Sequence, residues 1–199
     1  MSVGRAAPQN KLEGSYLDRI LLHLKVRDPD DRVLKTYLDS WFAYSRGGRM
    51  LEECGRPQWM NRGDLEADPD RCDEVHAISF AAAEARRRGD VRNLVRDHSI
   101  PKGAIVKELK SRKWSDRTDL REFLKLWFTV TIILQSEHRA LGRSALMPRP
   151  CSDDILRRDP TVRFDRYRRG RVDIPIRLLP LAAATWPSLD GVEVLQRGE

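Results

Sequence analysis

Apolar residues recur at helical spacing over the first third of the chain. Tyr16, Leu17, Ile20, Leu21 and Leu24 predict a short first helix behind a loose polar tail over residues 1–12. Val33, Leu34, Tyr37, Leu38, Trp41 and Phe42 predict a second, strongly amphipathic helix. Asp28-Pro29 reads as its cap and first residue, and Gly47-Gly48 as its stop. Residues 49–72 lose the pattern at Gly55, Pro57, Gly63 and Pro69 and read as an irregular acidic connection. A third helix is expected from Asp73 to Arg88, burying Val75, Ile78 and Phe80. It closes on Arg86-Arg87-Arg88-Gly89, with cations in the last turn and a glycine just past it.

The period then changes. Val91, Leu94 and Val95 lead into an extended segment that ends at Asp97-His98. Pro101 starts a helix holding Ile105, Val106 and Leu109. Ser115 caps another over Asp116 to Trp127, with Leu120, Phe123, Leu124 and Trp127 facing inward. Phe128 to Leu134 is rich in β-branched and aromatic residues and reads as a strand. Ser136 caps a following helix that carries His138, Leu141 and Leu146 and stops before Pro148; Val172 to Leu179 reads as a last extended segment. The pattern implies an α+β fold, mostly α-helical. Three consecutive regions are expected: helices over 1–90, a central core over 91–147, and an Arg/Pro-rich tail over 148–199.

Charge adds a partner class. The chain has 37 basic and 30 acidic residues, a net +7, but the excess is local. Arg86 to Arg121 holds 12 basic and 5 acidic residues, and Arg139 to Arg171 holds 10 and 4, so the remainder is net negative. Such runs attract phosphate backbones. Arg86, Arg87, Arg88, Lys110, Arg112, Lys113, Arg166, Arg168, Arg169 and Arg171 are the candidate nucleic-acid contacts. Tyr167 among the last of these suits stacking on bases, and a solvated turn suits the run equally. Three separated cysteines imply no disulfide framework; Cys72 and His76 alone share a helical i, i+4 spacing. No stretch has signal-peptide or membrane-span length, so a cytoplasmic location is expected.

The chemistry centres on Asp97, His98 and His138. Hydrolysing a phosphodiester needs an activated water and relief of charge at the phosphate, which an imidazole base and a divalent ion can supply. An Asp97 carboxylate and a His138 imidazole are a plausible ligand pair. In an extended strand, however, Asp97 and His98 point to opposite faces, and a turn or bulge at that point is needed to bring both toward one site. The bland alternatives are Asp97 capping the helix near Pro101 or pairing with Arg96, His98 hydrogen-bonded in the core, and His138 facing solvent.

Asp97-His98-Ser99-Ile100-Pro101, an apolar strand, and the helix start Ser136-Glu137-His138-Arg139-Ala140-Leu141 together resemble the ββα-metal fold of HNH endonucleases. The resemblance covers roughly residues 91 to 146 and implies a divergent bacterial member. It implies a short antiparallel β-hairpin plus helix, with His98 as general base and Asp97 and His138 as ligands of Mg²⁺ or Mn²⁺. The expected activity is metal-dependent cleavage of nucleic acid, DNA in the first instance. The middle asparagine of that family has no counterpart, since Asn10, Asn61 and Asn93 all precede His98. The rival reading is a non-catalytic module that binds nucleic acid or a protein partner, a second copy of the chain included.

Overall fold

The computed structural model describes residues 9–45, 75–142, 151–168, 173–186 and 194–195. The chain is α+β and mostly helical. Its elements are α1 Gln9–Leu24, α2 Asp31–Ser45, β1 Ala77–Ser79, α3 Phe80–Arg87, β2 Leu94–His98, α4 Lys102–Ser111 and α5 Arg117–Trp127. After these come β3 Val130–Leu134, α6 Gln135–Leu141, α7 Asp153–Arg158, a 3₁₀ helix Pro160–Phe164, α8 Asp165–Arg168, β4 Ile176–Leu178, α9 Pro180–Thr185 and β5 Val194–Leu195. The described residues fall into two units: a helical one of 9–45 and 102–123, and a mixed one built from 75–101 and the segments after Phe123. The units interleave along the chain, in place of the three consecutive regions expected from the pattern. Among the described residues no helix is long and apolar enough to cross a membrane.

In the helical unit Leu17, Ile20, Leu34, Leu38, Ile105 and Leu120 are fully buried. They are the apolar positions that the helical period selects. Helix α1 starts at Gln9, inside the expected tail. A buried polar contact accounts for the extra turns: Glu13 accepts hydrogen bonds from Trp41 Nε1 at 3.1 Å and Arg121 Nε at 2.8 Å. The cap of α2 is Asp30 rather than Asp28. Its Oδ1 accepts the Arg32 and Val33 amides at 2.6 and 3.4 Å. At α5 the cap is Asp116 rather than Ser115, with the Thr118 and Asp119 amides at 2.7 and 3.0 Å from its Oδ1. Ser115 turns its hydroxyl to Asp119 instead. Asp116→Ala should lower stability by about 1 kcal/mol in urea denaturation; an unchanged midpoint would show that α5 does not depend on this cap.

The mixed unit is built on a sheet of order β2-β3-β1-β4-β5. Strand β1 is parallel to β3 and antiparallel to β4. A helix is expected from Asp73, but over the described part of that stretch β1 precedes α3. All three β1 residues are buried. A strand covered on both faces has no alternation to set it apart from a buried helix. Ser79 ends β1 and caps α3, accepting the Ala82 amide at 3.1 Å. The stop of α3 is the one the pattern predicts. Gly89 takes φ +75°, and the Gly89 and Asp90 amides bond back to the Arg86 and Ala85 carbonyls, both at 2.9 Å.

β2 runs antiparallel to β3, with Asp97 opposite Thr131 and His98 opposite Val130. Their connection carries α4 and α5, so the pair is not a tight hairpin. Helix α6 follows β3 directly, and Glu137 accepts the Leu134 amide at 2.7 Å. Leu146 lies outside the described residues. A core of Ala77, Ile133, Leu141, Phe164, Tyr167, Ile176 and Trp186 packs together.

A fully buried cation, Arg163, stands beside that core. It donates to the Leu126, Leu156 and Pro160 carbonyls at 2.8, 2.9 and 3.1 Å, and its guanidinium lies 4.2 Å over the Trp186 ring. Burial pushes its pKa down to about 9, which leaves it charged at neutral pH. Arg163→Ala strands three carbonyls and opens a void. It should cost at least about 3 kcal/mol, read by denaturant unfolding or by loss of amide protection in the mixed unit. A loss under about 1 kcal/mol would mean that the carbonyls find other donors.

Candidate functional site

Regular pairing of β2 with β3 decides which side chains meet. Asp97, Ser99, Thr129 and Thr131 share one face of the pair, while His98, Phe128, Val130 and Ile132 share the other. The His98 ring stands edge-on to Phe128, with centroids 4.9 Å apart. Asp97 faces α6 and α8.

Asp97 is almost fully buried. Its Oδ2 accepts the Tyr167 hydroxyl at 2.6 Å and lies 3.3 Å from Arg166 Nη1. Its Oδ1 lies 3.6 Å from Nε2 of His138, whose side chain is 44% exposed. The polar chain continues inward: Tyr167 Oη is 3.4 Å from Ser99 Oγ, which is 2.7 Å from Thr131 Oγ1. Arg166 also donates to the carbonyl of His98 at 2.7 Å. Helix α8 and the end of β2 are thus held together by one carboxylate and one backbone oxygen.

Of the three expected site residues, Asp97 and His138 are brought together. His98 is not, because adjacent residues of a strand cannot face the same way. Asp97 neither caps α4 nor stands alone for a metal. One oxygen carries two donors, and the Arg166 charge opposes a second cation there. Asp97 Oδ1 and His138 Nε2 are two donors, a poor fit to a divalent ion that needs more protein ligands. Among the described residues no group of three or more His, Cys, Asp and Glu side chains is placed to hold a metal.

The expected phosphate contacts divide. Arg166 is largely buried and serves Asp97, and Arg168 donates to Asp165 at 2.7 Å and to the Thr161 carbonyl at 3.1 Å. Both face partners within the unit, where the pattern predicts surface contacts. Arg87 and Arg88 are exposed and pair with Glu84 at 2.6 and 3.6 Å, while Arg86 is half-buried. In the helical unit Lys110 pairs with Asp31 at 2.6 Å and holds that carboxyl below the usual range. Arg112 pairs with Glu108 at 3.2 Å and covers the Phe123 ring, and Lys113 is exposed. Arg169 and Arg171 lie outside the described residues, as does Cys72. His76 is not helical: its Nδ1 accepts the Val130 amide at 3.1 Å and its ring stacks on Trp186.

Ser99 and Thr131 carry no site signal in the sequence, and Tyr167, whose place suits base stacking, turns inward to Asp97. The one available signal was an aromatic inside an arginine run, which points outward as readily as inward. No family model matches the chain, and no curated protein or solved structure matches it either.

Burial, and then the Asp97 charge, raise the Tyr167 phenol well above its ordinary value of 10.0. The unfolded chain therefore releases this proton first. Tyr167 adds stability that is complete below pH 10 and lost as pH climbs toward its folded value. Wild type should lose stability above pH 10 faster than Tyr167→Phe. The variant should be about 1–3 kcal/mol weaker at neutral pH, from the lost bond to a buried carboxylate. Equal alkaline slopes in the two proteins would refute the assignment.

Proposed function

We propose that this chain binds nucleic acid, and that the exposed basic surface of the mixed unit carries the contact. Surface charge supports the reading. Among the described residues of that unit, Arg87, Arg88, Arg92, Lys125, Arg139, Arg157, Arg158 and Arg177 are exposed, against three acids, Asp90, Asp154 and Asp173. The described part of the helical unit exposes eight basic residues and six acidic ones, so most of the excess belongs to the mixed unit. Guanidinium groups suit phosphate because their planar donors pair with its oxygens two at a time.

A second reading is hydrolysis with a divalent ion by a ββα-metal-like core, the activity implied by the HNH resemblance. The approach of Asp97 to His138 favours it. The position of His98 weighs against it, because a base on the opposite face cannot serve that pair. Nicking of plasmid DNA with Mg²⁺ or Mn²⁺, lost in His98→Ala, would restore it.

The binding reading is tested by gel shift with DNA and RNA oligonucleotides over a range of salt. Affinity should fall steeply, with a log–log slope of about 0.9 per phosphate neutralised on duplex DNA. Replacing Arg157 and Arg158 together by Ala should weaken binding and flatten that slope. Affinity indifferent to salt would remove the phosphate-contact reading.

A further inference from the structure

Helix α3 turns two kinds of side chain outward. Its inner face is small, with Ala82 and Ala85 buried. On the outer face Phe80, Glu84 and Arg87 follow at i, i+4 and i+7, with Arg88 next to them. Phe80 is 40% exposed, and among the described residues it is the one large apolar side chain of the mixed unit that is exposed. Its backbone is held. Phe80 is the first residue of α3, the Ser79 hydroxyl caps that turn, and the Phe80 amide donates to the Pro175 carbonyl at 3.2 Å. Arg87 and Arg88 are 73% and 67% exposed and share one carboxylate, Glu84, at 2.6 and 3.6 Å. Two guanidinium groups on one acid leave a positive charge, and ion pairs this exposed give way readily to phosphate. Arg92, past the Gly89 stop, is exposed as well.

We infer that α3 holds single-stranded nucleic acid, with Phe80 stacked on an unpaired base and Arg87 and Arg88 on nearby phosphates. The inference rests on the nucleic-acid reading and names the form of its ligand. Charge alone does not separate a single strand from a duplex, because both present phosphates. The ring does. In a duplex each base face is covered by its neighbours, so an aromatic side chain finds a face to stack on where bases are unpaired. An exposed phenylalanine far from any charge would carry no such meaning. Here the ring and the Arg87 guanidinium stand on one helix face, about 10 Å apart along its axis, within reach of one short strand. Base faces are common to DNA and RNA, so the ligand is the unpaired strand, and the two sugars are separate arms of the test.

The test uses the full chain and one oligonucleotide sequence, as single-stranded DNA, as single-stranded RNA, and with each annealed to its complement. Affinity is read by gel shift. A single strand of at least one sugar should bind. Phe80→Leu keeps an apolar side chain and removes the ring face; it should weaken that binding at least about fivefold and change duplex affinity by no more than about twofold. Phe80→Tyr restores the ring face and should bind like wild type, which also controls for folding. Replacing Arg87 and Arg88 together by Ala should weaken single-strand binding and flatten its dependence on salt. Single-strand affinity unchanged in Phe80→Leu, or lost equally in Phe80→Tyr, overturns the stacking contact and leaves the nucleic-acid reading standing. Binding of duplex alone does the same. A salt slope unchanged in the double arginine variant overturns the phosphate contacts on α3. No shift with any form overturns both readings.

Discussion

A buried carboxylate must be given donors, and the donors given to Asp97 organise the middle of the mixed unit. An ionised group out of water is costly unless charge and hydrogen bonds reach it. Tyr167 and Arg166 reach Asp97 from α8, about 70 residues along the chain. Ser99 and Thr131 extend the network into the β2–β3 pair. Arg166 also binds the His98 carbonyl, so the same helix clamps backbone and side chain at the end of one strand. Taking α8 away would leave a buried charge and a strand end without a donor.

The second constraint is the two-residue period of a strand. It puts Asp97 with His138 on one face and His98 with Phe128 on the other. A dipeptide that looks like a unit in sequence is therefore divided between two environments. One histidine packs edge-on against an aromatic ring, and the other is half in solvent beside a carboxylate. Arg166 and Tyr167 occupy Oδ2 of Asp97, where the guanidinium charge opposes a second cation, and Oδ1 faces His138.

Arginine has two roles in this chain, and charge counting cannot separate them. Arg163 is buried on carbonyls and an indole face, and Arg166 is largely buried on a carboxylate and a carbonyl. Arg157 and Arg158, a few residues earlier, are exposed. All four stand in the same basic stretch. The nucleic-acid reading therefore rests on the exposed subset alone.

Several features were legible in the sequence: the helices around Leu17, Leu38, Ile105 and Leu120, the strand over Val130 to Leu134, the extended end at Asp97-His98, and the glycine stop at Gly89. Each is a local pattern in which side-chain period or backbone conformation is set by nearby residues. Less legible was β1, where burial on both faces erases the period. The caps were also missed, because Asp116 and Ser115 compete within one turn and geometry selects the winner. Opposite faces for Asp97 and His98 followed from the strand assignment, with only the turn or bulge left to exclude. What tertiary structure alone decided was the partner of Asp97. Tyr167 and Arg166 are brought to it by the folding of a distant helix, and no period or spacing in the chain encodes a contact made across that separation.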